Sequence, residues 1–226
     1  MKVIITGTTG YVGEGVLLCC LEHPEIEKIL SVSRRPTNIE HPKLEELIVD
    51  DFMNLQTGDA RLAGYDAVFF IAGITSVGTP EDVYLKISQT IPLHFAEILP
   101  DKEQMTYIYL SGEGTNANGK LAWQKIKGGT ENALFAMPFK HAFGFRPSIM
   151  RPHPKQTTRK SFQIASRILY PIMWPFCQSN TMQEVANAMI CCSKFGYEKR
   201  HISVRDIRKL SRKLKEQKGG DKLIEK

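Results

Sequence analysis

The chain has 226 residues, 42% hydrophobic and 24% charged, with a formal net charge of +6. That is the ordinary balance of a soluble globular protein, with length for one large domain, or for one domain with a small appendage. The charge is not spread evenly: residues 194–226 hold twelve Lys/Arg against five Asp/Glu, which leaves the first 193 residues with 18 basic and 19 acidic groups. A basic tail of this kind reads as a solvated helix, "SVRDIRKLSRKLKEQ", with Ile207, Leu210 and Leu214 on one stripe, so no nucleic-acid partner is expected.

The amino terminus enters a strand-like run directly, without the apolar stretch of a signal peptide. The most apolar later segment, "ILYPIMWPF" at 168–176, is too short to cross a bilayer and holds two prolines, so no membrane span is expected. The five cysteines (Cys19, Cys20, Cys177, Cys191, Cys192) include adjacent pairs inside apolar helical patterns, which points to reduced thiols and a cytoplasmic location. The histidines are scattered, and no metal site is expected.

In chain order, "KVIIT" (2–6), "KILSVS" (28–33), "ELIVD" (46–50), "AVFFIA" (67–72), "TYIYLS" (106–111) and "HAFGFR" (141–146) read as strands. Several are apolar throughout, as in strands buried on both faces. Helical patterns cover 11–22, 80–99 and 120–137, and Pro92 is expected to kink or split the second. This alternation predicts an α/β fold, a doubly wound parallel (Rossmann) sheet with helices on both faces. After Arg146 the proline-rich "RPSIMRPHPK" reads as loop. Helices are expected at about 160–170 and 181–194, then a short strand at 201–204 and the basic helix. The reading divides the chain into a dinucleotide-binding core, 1–152, and a small C-terminal cap with its basic tail, 153–226, packed on the same domain.

"VIITGTTGYVGEG" carries the strongest motif. A strand ends at Thr6, glycines follow at 7, 10 and 13, and a helix opens near Tyr11. Such glycines permit a tight turn, close approach to a pyrophosphate and close helix–strand packing, at a helix N-terminus that favours anions. Gly7, Thr8, Thr9, Gly10, Tyr11, Val12 and Gly13 are therefore the expected diphosphate cradle. Where an acid would grip the adenosine ribose of NAD, the chain reads "SVSRRP". Ser33, Arg34 and Arg35 suit a 2′-phosphate, which favours NADP over NAD. Asp51 and Phe52 after the third strand, and Ala72 and Gly73 ending the fourth, fall where the crevice would line the cofactor.

With "VDDF", "IAG", "LSGEG", "WQKIKGGTENAL" and "FGFRPSIMRP" following in order, most of residues 1–152 resembles the short-chain dehydrogenase/reductase superfamily. The likeness is strongest to its atypical, epimerase/dehydratase-like branch. The resemblance implies that Lys127 holds the nicotinamide ribose and that Ser111 bonds the substrate oxygen. The family's Tyr, four residues before that Lys, is here Trp123. A phenol titrates near 10 and can be tuned downward by a cation, whereas an indole N–H only donates a hydrogen bond. Trp123 is thus expected to orient or stack, not to transfer a proton. Gly112 stands where some relatives carry the active hydroxyl.

Tyr84, Tyr107, Tyr109 and His153 are the candidate replacement acids, with the two strand tyrosines expected mainly as core or crevice wall. Two functions follow: an NADP-dependent reductase or epimerase-like enzyme with an unorthodox acid and an unknown small-molecule substrate, or an NADP-binding sensor or scaffold with little turnover. Phe162, Ile164, Leu169, Tyr170, Met173, Trp174 and Phe176 are an alternative apolar lid, or plain core. The expected state is monomer or homodimer.

Overall fold

A computed structural model describes residues 1–158, 163–164, 168, 170–171 and 179–224, with side chains described as far as residue 217. Cys177 and most of the expected lid (Phe162, Leu169, Met173, Trp174 and Phe176) lie outside the described residues, as does most of the helix expected at 160–170.

Seven parallel strands form the central sheet: β1 (Lys2–Thr6), β2 (Lys28–Ser33), β3 (Leu44–Ile48), β4 (Ala67–Phe70), β5 (Thr106–Leu110), β6 (His141–Phe145) and β9 (His201–Ile202). Their order is β3-β2-β1-β4-β5-β6-β9, so the chain winds outward from β1 in both directions, as in a Rossmann fold. A second, two-stranded parallel sheet pairs β7 (Ile149–Arg151) with β8 (Ser179–Thr181).

Alternation along the strands sorts the core into two layers. Val3, Ile5, Ile29, Phe69, Ile108 and Phe143 face α1 (Tyr11–Leu21), α5 (Met182–Phe195) and α6 (Val204–Ile224). Ile4, Leu30, Val68, Phe70, Tyr107 and Tyr109 face α3 (Ile91–Ile98) and α4 (Ala122–Ala136). The C-terminal segment expected as a cap thus supplies a strand to the sheet and two helices to one layer. On α6, Ile207, Leu210 and Leu214 are buried while Arg205, Lys209, Arg212, Lys213 and Lys215 point outward.

Several elements differ from the sequence reading, and β7 is a strand inside the proline-rich segment that was expected to be loop. β3 starts two residues earlier than expected, because it pairs with β2 from Ile29↔Leu44 to Ser33↔Ile48, while Val49 N–H still donates to Ser33 O at 2.9 Å. Around Pro92 the helix does not break. α2 (Glu81–Leu85) passes into a π-helical turn at Lys86–Thr90 and then into α3, with Pro92 in its first turn. The wider turn accommodates a ring that an α-helical interior would reject.

Candidate cofactor crevice and active site

The glycine turn is built for close backbone packing. Gly7 takes φ +72°, and a Cβ there would lie 2.6 Å from Ala72 N. A Cβ on Gly13 would fall 1.9 Å from Gly7 O, so only glycine lets α1 lie this close to the end of β1. Thr6 Oγ1 accepts from Ile71 N–H and Ala72 N–H, clamping the ends of β1 and β4 together. Thr8 is pinned inward by a 2.7 Å bond between its hydroxyl and that of Ser31. Thr9 is exposed, and Gly7, Gly10 and Val12 are half-buried. Gly10 caps α1 with no side-chain hydrogen bond, which leaves the helix start to an anion. The cradle fits a dinucleotide diphosphate.

Tyr11 has a different part. Its ring is buried and its hydroxyl donates to Met150 O at 2.8 Å, tying α1 to β7. Glu14, one turn on, accepts from the backbone and hydroxyl groups of Thr157 and Thr158. Gln156 Nε2 donates to Tyr11 O at 2.6 Å. The segment after β7 is therefore strapped along α1. His153 belongs to this strap, with Nε2 3.3 Å from Glu22 Oε2. Glu22 follows the last residue of α1, on the order of 15 Å from the glycine turn at about 1.5 Å per residue, so His153 is placed away from the crevice.

At the adenosine end, Arg34 and Arg35 are both exposed, and no carboxylate pairs with either among the described residues. Ser33 is corrected: its buried hydroxyl donates to Arg35 O at 2.6 Å and shapes the turn carrying the arginines, so it has no proton left for a phosphate. Asp51 caps a short 3-10 turn through Met53 N–H at 3.0 Å, and its other oxygen is 3.7 Å from Lys86 Nζ. Phe52 is also corrected: its buried ring meets Phe70 and Phe95 edge-on, at 6.3 and 5.9 Å, and belongs to the core. Ala72 is half-buried and Gly73 exposed at the end of β4.

At the other end, Lys127 is half-buried on α4 and its ammonium donates to Ser111 O and, at 3.4 Å, to Leu110 O. Burial lowers its pKa to about 8, against an upward pull from Glu131. Trp123, one turn earlier, is half-buried beneath the loop that follows β5; a Cβ on Gly114 would lie 3.2 Å from its Cη2. Gly112 in that loop takes φ +123° with open space around it.

Ser111 requires a further correction. Its hydroxyl donates to Glu131 Oε1 at 2.5 Å, with Phe145 O beside it at 3.1 Å, so it is turned into the protein and away from a substrate oxygen. Glu131 went unnoticed in the sequence, yet it is fully buried and also binds Arg146, through Nε at 3.1 Å and through Nη2, and His201 Nδ1 at 3.2 Å. The signal available for it was a lone acid in the apolar half of "GGTENALFA", with a glycine in "HAFGF" to make room.

The phenols are committed elsewhere. Tyr107 donates to Pro92 O at 3.0 Å and Tyr109 to Ser88 O at 2.6 Å, and burial pushes both pKa values well above 10. Tyr84 is buried and shifted the same way. Lys127 is thus a titratable side chain that the fold brings to the end of β5, one helical turn from Trp123.

No protein-family model matches the chain. Its fold is that of the short-chain dehydrogenase/reductase and NAD-dependent epimerase/dehydratase proteins. A structure of MoeE5 with UDP-glucose and NAD superposes with a TM-score of 0.65 at 15% identity, over 95% of this chain and 82% of that one. A short-chain dehydrogenase family protein from Francisella tularensis gives 0.64 at 11%, over 91% and 98%. UDP-glucuronic acid 4-epimerase from Bacillus cereus, with NAD, gives 0.63 at 13%, over 90% and 76%.

In sequence, the chain is similar to "Protein fmp52-1, mitochondrial" of Aspergillus terreus, 27% identical over 155 residues, 66% of each chain. It is also similar to "Protein FMP52, mitochondrial" of Meyerozyma guilliermondii, 25% identical over 157 residues, 66% of this chain and 65% of that one. The match spans just under two thirds of these relatives' own length. Their names correct the expected cytoplasmic location. Cys19, Cys20, Cys191 and Cys192 are all buried, and burial shields a thiol in any compartment, so the cysteines did not discriminate. No helix among the described residues is long and apolar enough to cross a membrane.

Proposed function

We propose that this chain is an NADP-binding oxidoreductase or epimerase-like protein in which Trp123 stands where the fold's relatives use a tyrosine. The observation that carries the reading is the pairing of an uncapped glycine cradle at one end of the strand ends with the half-buried Lys127 ammonium at the other. Gly7, Gly10 and Val12 would face the diphosphate, Arg34 and Arg35 the 2′-phosphate, and Lys127 the nicotinamide ribose. When bound, the nicotinamide supplies hydride chemistry. The chain itself orients and shields, because Trp123 donates a hydrogen bond or stacks but has no group that titrates near working pH. The nicotinamide dinucleotides in the similar structures support the cofactor class, and the exposed, unpaired arginines favour the phosphorylated form.

A second reading is specific to this site. With Tyr84, Tyr107 and Tyr109 buried and His153 on the strap, the chain binds NADP but turns over little, and acts as a sensor or scaffold. One experiment separates the two readings. NADPH oxidation is followed with a panel of aldehydes and ketones for the wild type and for Trp123→Tyr. Wild-type turnover supports the enzyme; turnover in the variant alone supports the sensor. Absence of NADPH binding by either protein rejects both.

A further inference from the structure

We infer that Glu131, acting through Ser111, is a positioning residue that fixes the Lys127 ammonium at the crevice. The inference rests on the reading above, in which Lys127 holds the nicotinamide ribose.

Three links form a closed ring. Lys127 Nζ donates to the Ser111 carbonyl, and the hydroxyl of the same Ser111 donates to Glu131 Oε1 at 2.5 Å. Glu131 then returns to Lys127 along a single turn of α4, since the two stand at i and i+4. The Ser111 backbone is held from the other side, its N–H donating to Phe145 O at 2.8 Å. Neither end of the serine can shift without breaking a bond to the carboxylate or to β6. The carbonyl that aims Lys127 is therefore fixed by a group that touches neither cofactor nor substrate.

The surroundings are shaped for this carboxylate. Glu131 is fully buried, and an uncompensated charge there would be costly. Arg146 at the end of β6 pairs with it through two nitrogens, and His201 on β9 meets it at 3.2 Å. A Cβ on Gly144 would lie 2.2 Å from Glu131 Oε1, so β6 carries a glycine where the carboxylate lies. If anchoring Arg146 were the whole purpose, the serine bond and the position one turn from Lys127 would be idle. Tyr109, the remaining titratable neighbour, is locked on Ser88 O. Charge adds to position, since Glu131 opposes the downward pull of burial on Lys127.

The test is NADPH affinity, measured by calorimetry between about pH 7 and 9.5, the range that brackets the lowered lysine. Wild type is compared with Lys127→Met, Glu131→Gln and Ser111→Ala. Lys127→Met is expected to weaken binding about tenfold, the scale of a lost charged hydrogen bond, and to abolish the fall in affinity centred at about 8. Glu131→Gln is expected to weaken binding at neutral pH and move that midpoint to lower pH, a shift that a merely structural role would not produce. Ser111→Ala keeps the Glu131–Arg146 pair, and is expected to weaken binding with the midpoint unmoved. If Lys127→Met binds as wild type, the ribose reading falls. If Lys127→Met weakens binding while the other two behave as wild type, the inference alone is overturned. Should Glu131→Gln fail to fold, wild-type affinity in Ser111→Ala overturns it.

Discussion

Tyr109 Oη donates to Ser88 O at 2.6 Å, and Ser88 is the residue whose carbonyl loses its α-helical donor because residue 92 is proline. Thr130 Oγ1 reaches the same oxygen from α4 at 3.0 Å. A backbone acceptor stranded by a missing N–H is thus satisfied by the phenol, with the Thr130 hydroxyl shared between it and Ile126 O at 2.8 Å, and the π turn before α3 is sealed against the sheet. The phenol is structural. Tyr109→Phe is expected to lower the unfolding free energy by about 1 kcal/mol, one net hydrogen bond with Thr130 still in place. It should leave NADPH affinity unchanged. Urea unfolding and calorimetry read the two quantities separately.

On the proposed NADP reading, the cofactor preference falls to the exposed Arg34 and Arg35, because Ser33 spends its proton on Arg35 O. Replacing both with serine is expected to cost NADPH at least about tenfold in affinity, the scale of a charge-assisted bond to phosphate. NADH affinity should stay nearly constant. Tighter NADH than NADPH binding by the wild type would remove the basis of this expectation.

Glu14 links stability to acid. Burial pushes its pKa up, but the four donors of Thr157 and Thr158 outweigh that, and the folded value lies below the ordinary 4.5. The stability it contributes is complete above the ordinary carboxylate value and is lost as pH falls through the lowered folded one. Glu14→Gln should therefore be less stable than wild type by about 2 kcal/mol at neutral pH. Denaturant titrations repeated at descending pH should show that gap closing.

Burial raises the thiol of Cys19 to about 12, and those of Cys20 and Cys192 well above their ordinary value. Cys191 moves the same way. None of the four is a ready nucleophile, since the thiolate is the reactive form. Native protein treated with iodoacetamide at mildly alkaline pH should show no adducts at these positions by peptide mass spectrometry, whereas guanidinium-unfolded protein should show all four.

The sheet was legible because its signals are local. The strand-to-glycine transition at Thr6–Gly7 and the apolar runs at 28–33, 67–70 and 106–110 each announce a buried parallel strand within a few residues. The edge strand β3 was read two residues late, since its apolar Leu47, Ile48 and Val49 advertise a later start than the register with β2 sets. Lys127 and Trp123 were legible as a pair one helical turn apart. The direction of Ser111 was not, because it depends on Glu131, twenty residues away, and on a missing side chain at Gly144. The polar partners of this buried acid come from three different strands or their ends, and no periodicity in one segment encodes them.

Gly112 has a bearing on how this protein is related to proton-donating versions of its fold. Its φ of +123° is one that side-chain-bearing residues rarely adopt, although the space around it is empty. A threonine or serine placed there would first have to refold its own peptide unit, so that hydroxyl is not one codon away. Trp123, on an ordinary helix, carries no such obstacle. On the proposed reading the two positions are unequal barriers: residue 123 reverses by a single exchange, and residue 112 is constrained by its backbone.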